Sequence, residues 1–307
     1  MAEVRQKATG DRRQGATALE RAGGAPSQQR AILRRFLRHR AAVVGAGIVF
    51  AFVLIAVGAA VWTPYDPATP VLELRLGRPS RDHPFGTDDV GRDILTRLAV
   101  GARYSLLMGV AAVGIAAGIG VPAGLVAGYK GGWWDAGLMR AVDVLMTLPS
   151  IVLAVAIVSV LGAGVGSVIL AVGVTSIPGF ARLARAVALT LREQDFVAAA
   201  RVVGASDGRI LGRHLLPNAL PPLIVQASLG VGGTILIASA LGFLGLGVQP
   251  PTPEWGAMLS RGRTYISSAP HLVLFPGVAI AVLVLGFNLL GDGLRDALDP
   301  RLRGIAD

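Results

Sequence analysis

The chain has 307 residues, 53% of them hydrophobic and 16% charged, with a formal net charge of +10 and no cysteine. So apolar a composition excludes an ordinary soluble domain and points to the membrane class, while the lack of cysteine excludes a disulfide framework, a thiolate metal site and a thioacyl anchor. The positive charge is almost all arginine, set beside apolar runs rather than interleaved with aromatics, which argues against a nucleic-acid partner.

Residues 1–30 are rich in Ala, Gly, Gln, Arg and Glu and nearly devoid of large apolar side chains, so a disordered tail is predicted. Residues 31–62 then read as an interfacial basic helix and a first transmembrane span. Ile32, Leu33, Phe36 and Leu37 alternate with Arg34, Arg35, Arg38 and Arg40 at helical spacing, and Ala41–Trp62 is the first long apolar run. That run is too long for the apolar region of a secretory signal, which favours a retained span.

Residues 63–103 hold no span and form an extracytoplasmic segment rich in Pro, Asp and Arg. Asp89, Gly91, Arg92 and Asp93 precede an Ile94–Leu95–Leu98 stripe, which predicts a short amphipathic helix. Asp88, Asp89 and Asp93 lack the alternating oxygen ligands and closing Glu of a calcium loop, so capping and local ion pairs are expected of them.

Five further apolar runs follow in a core over residues 104–295: Leu106–Ala127, Ala141–Leu161, Val165–Ala181, Leu223–Leu246 and Leu272–Leu290. Gly109, Gly114, Gly118, Gly120 and Gly124 are expected to be packing notches in the second span. A tight turn is predicted at Tyr129–Asp135; Pro149 lies in the third span and Pro178 interrupts the fourth. Asp143, near Arg140, is expected to pair at the interface. Residues 296–307 form a short polar tail.

Lys and Arg near spans prefer the cytoplasm. With the N-terminus inside, the four inner segments carry 10, 2, 6 and 3 basic residues, 21 of the chain's 29. Six spans with both termini cytoplasmic follow, and residues 182–222 become a cytoplasmic loop. Within it Asp195–Pro222 reads as two short helices hinged at Gly204, where only glycine takes left-handed angles at no steric cost. Glu193 and Asp195 open the first arm. Ser206 and Asp207 cap the second, which carries Ile210, Leu211, Leu215 and Leu216 until Pro217 stops it.

The familiar chemistries are missing. Lys130 lacks both the preceding glycine and the following Ser or Thr of a phosphate loop, so no ATP is bound by that route. There is no HExxH or GxSxG pattern, and His39, His83, His214 and His271 are scattered. No ionisable group sits at a span centre, as an ion-coupled carrier would need. Mild polarity remains at Thr175, Ser176, Gln226, Thr234, Ser239 and Asn288, candidates to line a solute pathway or to hydrogen-bond between helices.

The organising loop resembles the EAA motif of bacterial ABC-importer permeases, EAA-x3-G-x9-I-x-L-P. Ala199, Ala200, Gly204, Leu216 and Pro217 match, while Ala198 stands for the motif's Glu and His214 for its Ile. His83–Leu106, Phe180–Ala186, Arg213–Asn218, Leu241–Gly247, Pro250–Leu259 and Leu290–Arg303 extend the resemblance to the C-type subunit of the dipeptide/oligopeptide/nickel group. The resemblance implies an all-α polytopic membrane protein of six transmembrane helices with a type I importer fold. It implies a homologous permease subunit, two ATPase subunits that bind ATP and Mg, and an extracytoplasmic solute-binding protein as partners, with no cofactor, metal or catalytic residue in this chain. Asp195, Ala199, Ala200, Arg201, Gly204, Ala205, Ser206, Arg209, His214 and Pro217 would then seat the elbow on an ATPase. In the absence of the motif Glu, Asp195 or Glu193 would anchor it, or it would go without such an anchor. The expected function is peptide import by alternating access; nickel or another small solute, or a self-sufficient carrier or channel, are the alternatives.

Overall fold

A computed structural model describes residues 35–298, so the predicted tail at 1–30, the start of the interfacial helix and all but the first three residues of the tail predicted at 296–307 lie outside the described residues; those three are helical. Apart from one isolated bridge, Thr87 to Asp93, the regular structure among them is helical. The principal helices are α1 (Arg40–Val61), α2 (Ile94–Lys130), α3 (Gly132–Leu145), α4 (Ser150–Leu161), α5 (Val165–Leu191), α6 (Asp195–Val202), α7 (Asp207–Phe243), α8 (Trp255–Gly262) and α9 (His271–Leu298). Five of them, α1, α2, α5, α7 and α9, are long and apolar enough to cross a membrane. The pair α3 and α4 passes the same test together but is bent by 82°, making six spans if counted as one.

Several helices outrun the apolar runs that announced them. The stripe Ile94–Leu98 belongs to α2 itself, started by the Asp93 carboxylate accepting from the Thr96 N–H at 2.7 Å. Trp133–Asp135 are helical, so the expected turn shrinks to a break at Gly131, whose φ is 66°. Pro149 takes the position before the first residue of α4, where its missing N–H costs nothing, and the third span breaks there. Pro178, by contrast, lies inside a continuous α5, and that helix carries on to Leu191 instead of ending near Ala181. Pro217 does not stop α7 either. Just before it, Ile210–Leu215 widen into a π turn, with the Leu216 N–H reaching the Leu211 carbonyl, which gives the proline ring the room a regular turn denies.

The most extensive seam joins α2 to α5. Gly120, Gly124 and Gly128 recur every four residues along it; a Cβ on Gly120 would fall 2.7 Å from the Ile177 carbonyl and one on Gly128 2.6 Å from that of Arg185. The backbones touch, as small residues permit where lipid offers no hydrophobic push. Gly109 packs against Ile235 of α7, but Gly114 and Gly118 face open space and are not notches. Peripheral α1 is held to α9 by Gly45 and Gly286, while Phe50, Leu54 and Val57 point outward as a lipid-facing surface requires.

Beyond the N-terminal end of α2, the segments before it and around α8 interlock. Asp88 binds Arg92 at 2.8 Å and Arg97 at 3.4 Å; Phe85 stacks on Phe275; the Trp255 indole N–H donates to the Leu98 carbonyl at 3.0 Å. The expected pairing and capping by Asp88 and Asp93 is therefore what the fold contains. Glu254 caps α8 by accepting from the Gly256 and Ala257 N–H groups at 2.7 and 2.8 Å, yet it is wholly buried. Burial pushes its carboxyl up to about 7 against the two N–H groups that favour the anion.

Candidate coupling elbow and solute groove

At the other end of α2 lies the elbow. Helix α6 presents Val197 and Ala200 to the interior, where they join Ile210 and Leu215 in an apolar cluster with Leu125, Tyr129 and Ala188. Gly204 then takes φ 78°; its N–H donates to the Arg201 carbonyl at 2.9 Å and that of Ala205 to the Ala200 carbonyl at 3.0 Å. This pair of bonds satisfies the last carbonyls of α6 and turns the chain sharply. Ser206 occupies the cap position of α7 with extended backbone but makes no side-chain cap bond, and Asp207 sits in the first turn.

Asp207, not Asp195 or Glu193, anchors the elbow. The Tyr129 hydroxyl donates to Asp207 Oδ1 at 3.2 Å, Lys130 Nζ lies 3.6 Å from Asp207 Oδ2, and the Arg201 guanidinium covers the Tyr129 ring at 5.2 Å. Glu193 pairs with its neighbour Arg192 at 2.8 Å. Of the residues expected to face a partner, Asp195, Ala199, Arg201, Gly204, Ser206, Arg209 and Pro217 are exposed, as is Ala198. Ala205 and His214 are half-buried, and the His214 carbonyl accepts from Asn218 at 2.7 Å. Ala200 is buried against the chain's own core, which removes it from any partner surface. The elbow also displays what was not foreseen: Val202 and Val203 are 88% and 82% exposed, with Phe196 beside them. Val202 falls off the stripe that Val197 and Ala200 bury, whereas Val203 would continue that three-residue step and is exposed because α6 ends at Val202.

The mild polar residues divide into two groups. Thr175, Ser176, Gln226 and Thr234 line one cavity of about 650 Å3 at the α3–α4 bend. Ser239 is buried where Gly256 packs on its backbone, and Asn288 lies beside Gly232 on the α7–α9 seam, so neither reaches the cavity. Thr175 and Ser176 donate to the Val172 carbonyl at 3.0 and 2.7 Å; the single Thr234 hydroxyl proton is shared between the Val231 carbonyl of its own helix at 2.9 Å and the Gly109 carbonyl of α2 at 3.1 Å. With the O–H groups so engaged, what these hydroxyls keep for another molecule is acceptor capacity. Asp143, expected near Arg140, instead pairs with Arg182 of α5 at 2.8 Å.

Bundled apolar helices, a broken span beside a cavity and a protruding elbow define a membrane transport subunit, and comparison with known proteins places it. The family model for the binding-protein-dependent transport system inner membrane component matches residues 120–304, and that for the N-terminal TM domain of oligopeptide transport permease C matches residues 27–79. The chain belongs to the binding-protein-dependent transport system inner membrane component family, the permeases of ABC importers. It is 48% identical over 279 residues to the dipeptide transport system permease protein DppC of Alkalihalophilus pseudofirmus, covering 91% of this chain and 92% of that one. To the glutathione transport system permease protein GsiD of Escherichia coli it is 50% identical over 272 residues, 88% of this chain and 90% of the other. A solved structure of the MetNI methionine ABC transporter in an inward-facing conformation shares the fold at a TM-score of 0.55 and 22% identity, covering 67% of this chain and 98% of its own.

Proposed function

We propose that the chain is one of two related permease subunits of an ATP-driven peptide importer. It moves a dipeptide, glutathione-like peptide or similar small solute inward by alternating access. ATP and Mg are bound by two separate ATPase subunits, an extracytoplasmic binding protein delivers the solute, and the elbow lies in the cytoplasm with both termini. The observation that carries this reading is the elbow's construction: an apolar and arginine-bearing outer face on residues 195–217, tied through Asp207 to the end of α2. Helix α2 packs along α5, which lines the cavity, so a push on the elbow is delivered to the cavity wall. The peptide assignment is supported by the relatives, which are named as dipeptide and glutathione transport permeases.

The test is reconstitution of the whole complex in proteoliposomes. ATP-dependent accumulation of a dipeptide or glutathione, lost when either ATPase or binding protein is left out, is expected. Uptake by the purified chain alone would overturn the proposal in favour of a self-sufficient carrier.

A further inference from the structure

The groove between α3–α4 and α5 has two chemically different halves. Residues 175, 179, 182 and 185 of α5 follow one another at three- or four-residue steps and so share a face; 139 and 143 share one on α3, and Thr147 follows in the break just past its end. One half is the hydroxyl-lined cavity already described. The other is a cleft of about 610 Å3 lined by Asp135, Arg140, Asp143, Arg182 and Arg185. The charged half lies on the elbow side, because α3 begins just after Lys130, whose Nζ meets Asp207.

Its three guanidinium groups are not equivalent. Arg185 grips both oxygens of Asp135 at 2.5 and 2.6 Å and is committed to that fork. Arg182 holds Asp143 at 2.8 Å with both side chains more than half exposed, a weak and exchangeable pair. Arg140 is exposed and makes no ion pair among the described residues. The cleft therefore offers one free guanidinium and a second that can trade one carboxylate for another.

We propose that this arginine-lined half is a transit site for the carboxylate of an anionic solute, received by Arg140 and by Arg182 as it releases Asp143. The inference rests on the groove being the solute path. A planar guanidinium fork matches a carboxylate, and the exposure of the cleft keeps the contact weak enough to let the solute leave.

The experiment uses the complete importer in proteoliposomes. Its probes are a peptide with a free C-terminal carboxylate and the same peptide amidated, both first shown to load the binding protein. Arg140→Gln and Arg182→Gln should slow uptake of the free acid about two- to fivefold and leave the amidated peptide unchanged, with Arg140→Lys recovering part of the loss. Equal slowing of both peptides, or of neither, overturns the proposal. So does a deficit seen only in vesicles containing anionic phospholipid, which would make the cleft a headgroup site, or loss of complex assembly on size exclusion, which would make it a subunit contact. If the unaltered complex accumulates neither peptide on ATP, it is the peptide-importer reading that fails, before the variants are compared.

Discussion

Lys130 Nζ lies 3.6 Å from Asp207 Oδ2, joining the last residue of the spanning helix α2 to the first turn of the elbow's second arm. With the Tyr129 hydroxyl on the other carboxylate oxygen, this is the elbow's polar fastening to the bundle. Asp207→Ala should cost little stability, about 0.2–1 kcal/mol for so exposed a pair. In the reconstituted complex its uptake per ATP hydrolysed should nevertheless fall, because the elbow can then move without α2. Uptake and ATPase rates measured on one preparation check this; an unchanged ratio would show that the apolar cluster alone transmits the motion.

Gly204 has φ 78°, and a Cβ placed there meets nothing within 4 Å, so any penalty comes from backbone angles and not from crowding. Gly204→Val should strain the turn by about 1–3 kcal/mol and uncouple ATPase activity from uptake with membrane insertion intact. Gly204→Asn, which tolerates the left-handed region, should behave close to the parent. Undiminished uptake by the valine variant would count against coupling through this turn.

The chain's own residues explain which parts of this arrangement could be read in advance. Gly204 was legible because one residue type suits one backbone region. Pro149 and Pro178 were not separable: the first precedes a new helix and the second lies within one, and the difference is set by neighbouring helices, which local propensity does not contain. The tie between Tyr129 and Asp207 spans 78 positions, so no local pattern announces it. Four of the six polar residues nominated for the pathway meet at one cavity, while Ser239 and Asn288 share their polarity and not their location.

Gly124 on α2 would drive any added Cβ into the Ala181 carbonyl, whereas Gly118 faces open space. Gly124→Leu should therefore separate α2 from α5 and abolish assembly of a folded complex. Gly118→Ala should be neutral or stabilising, by up to about 1 kcal/mol from helix propensity. Yield of monodisperse complex and its melting temperature in detergent distinguish the two.

Glu254 carries a pH dependence whose sign follows from its raised carboxyl, about 7 in the fold against an ordinary 4.5. Between those values the folded form holds a proton that the unfolded form has lost. Stability is therefore full below 4.5, declines as pH rises through 7 and levels off beyond, by roughly 3 kcal/mol in all. Melting temperatures from pH 5 to 8 should fall accordingly, and Glu254→Gln should flatten that slope. A slope unchanged in the variant would assign it to other groups.

The π turn at Ile210–Leu215 sets an angle as well as accommodating a proline. Ile210 and Leu215 are both fully buried although five positions apart, a spacing that in a regular helix leaves two side chains about 140° from one another. The wider turn absorbs one residue and so brings both to the same side. Removing a single residue there would turn the elbow by roughly 100° about the axis of α7, aiming Val202, Val203 and the arginines away from wherever a motor subunit waits. The direction in which this permease can be pushed is thus written in the length of one helical turn.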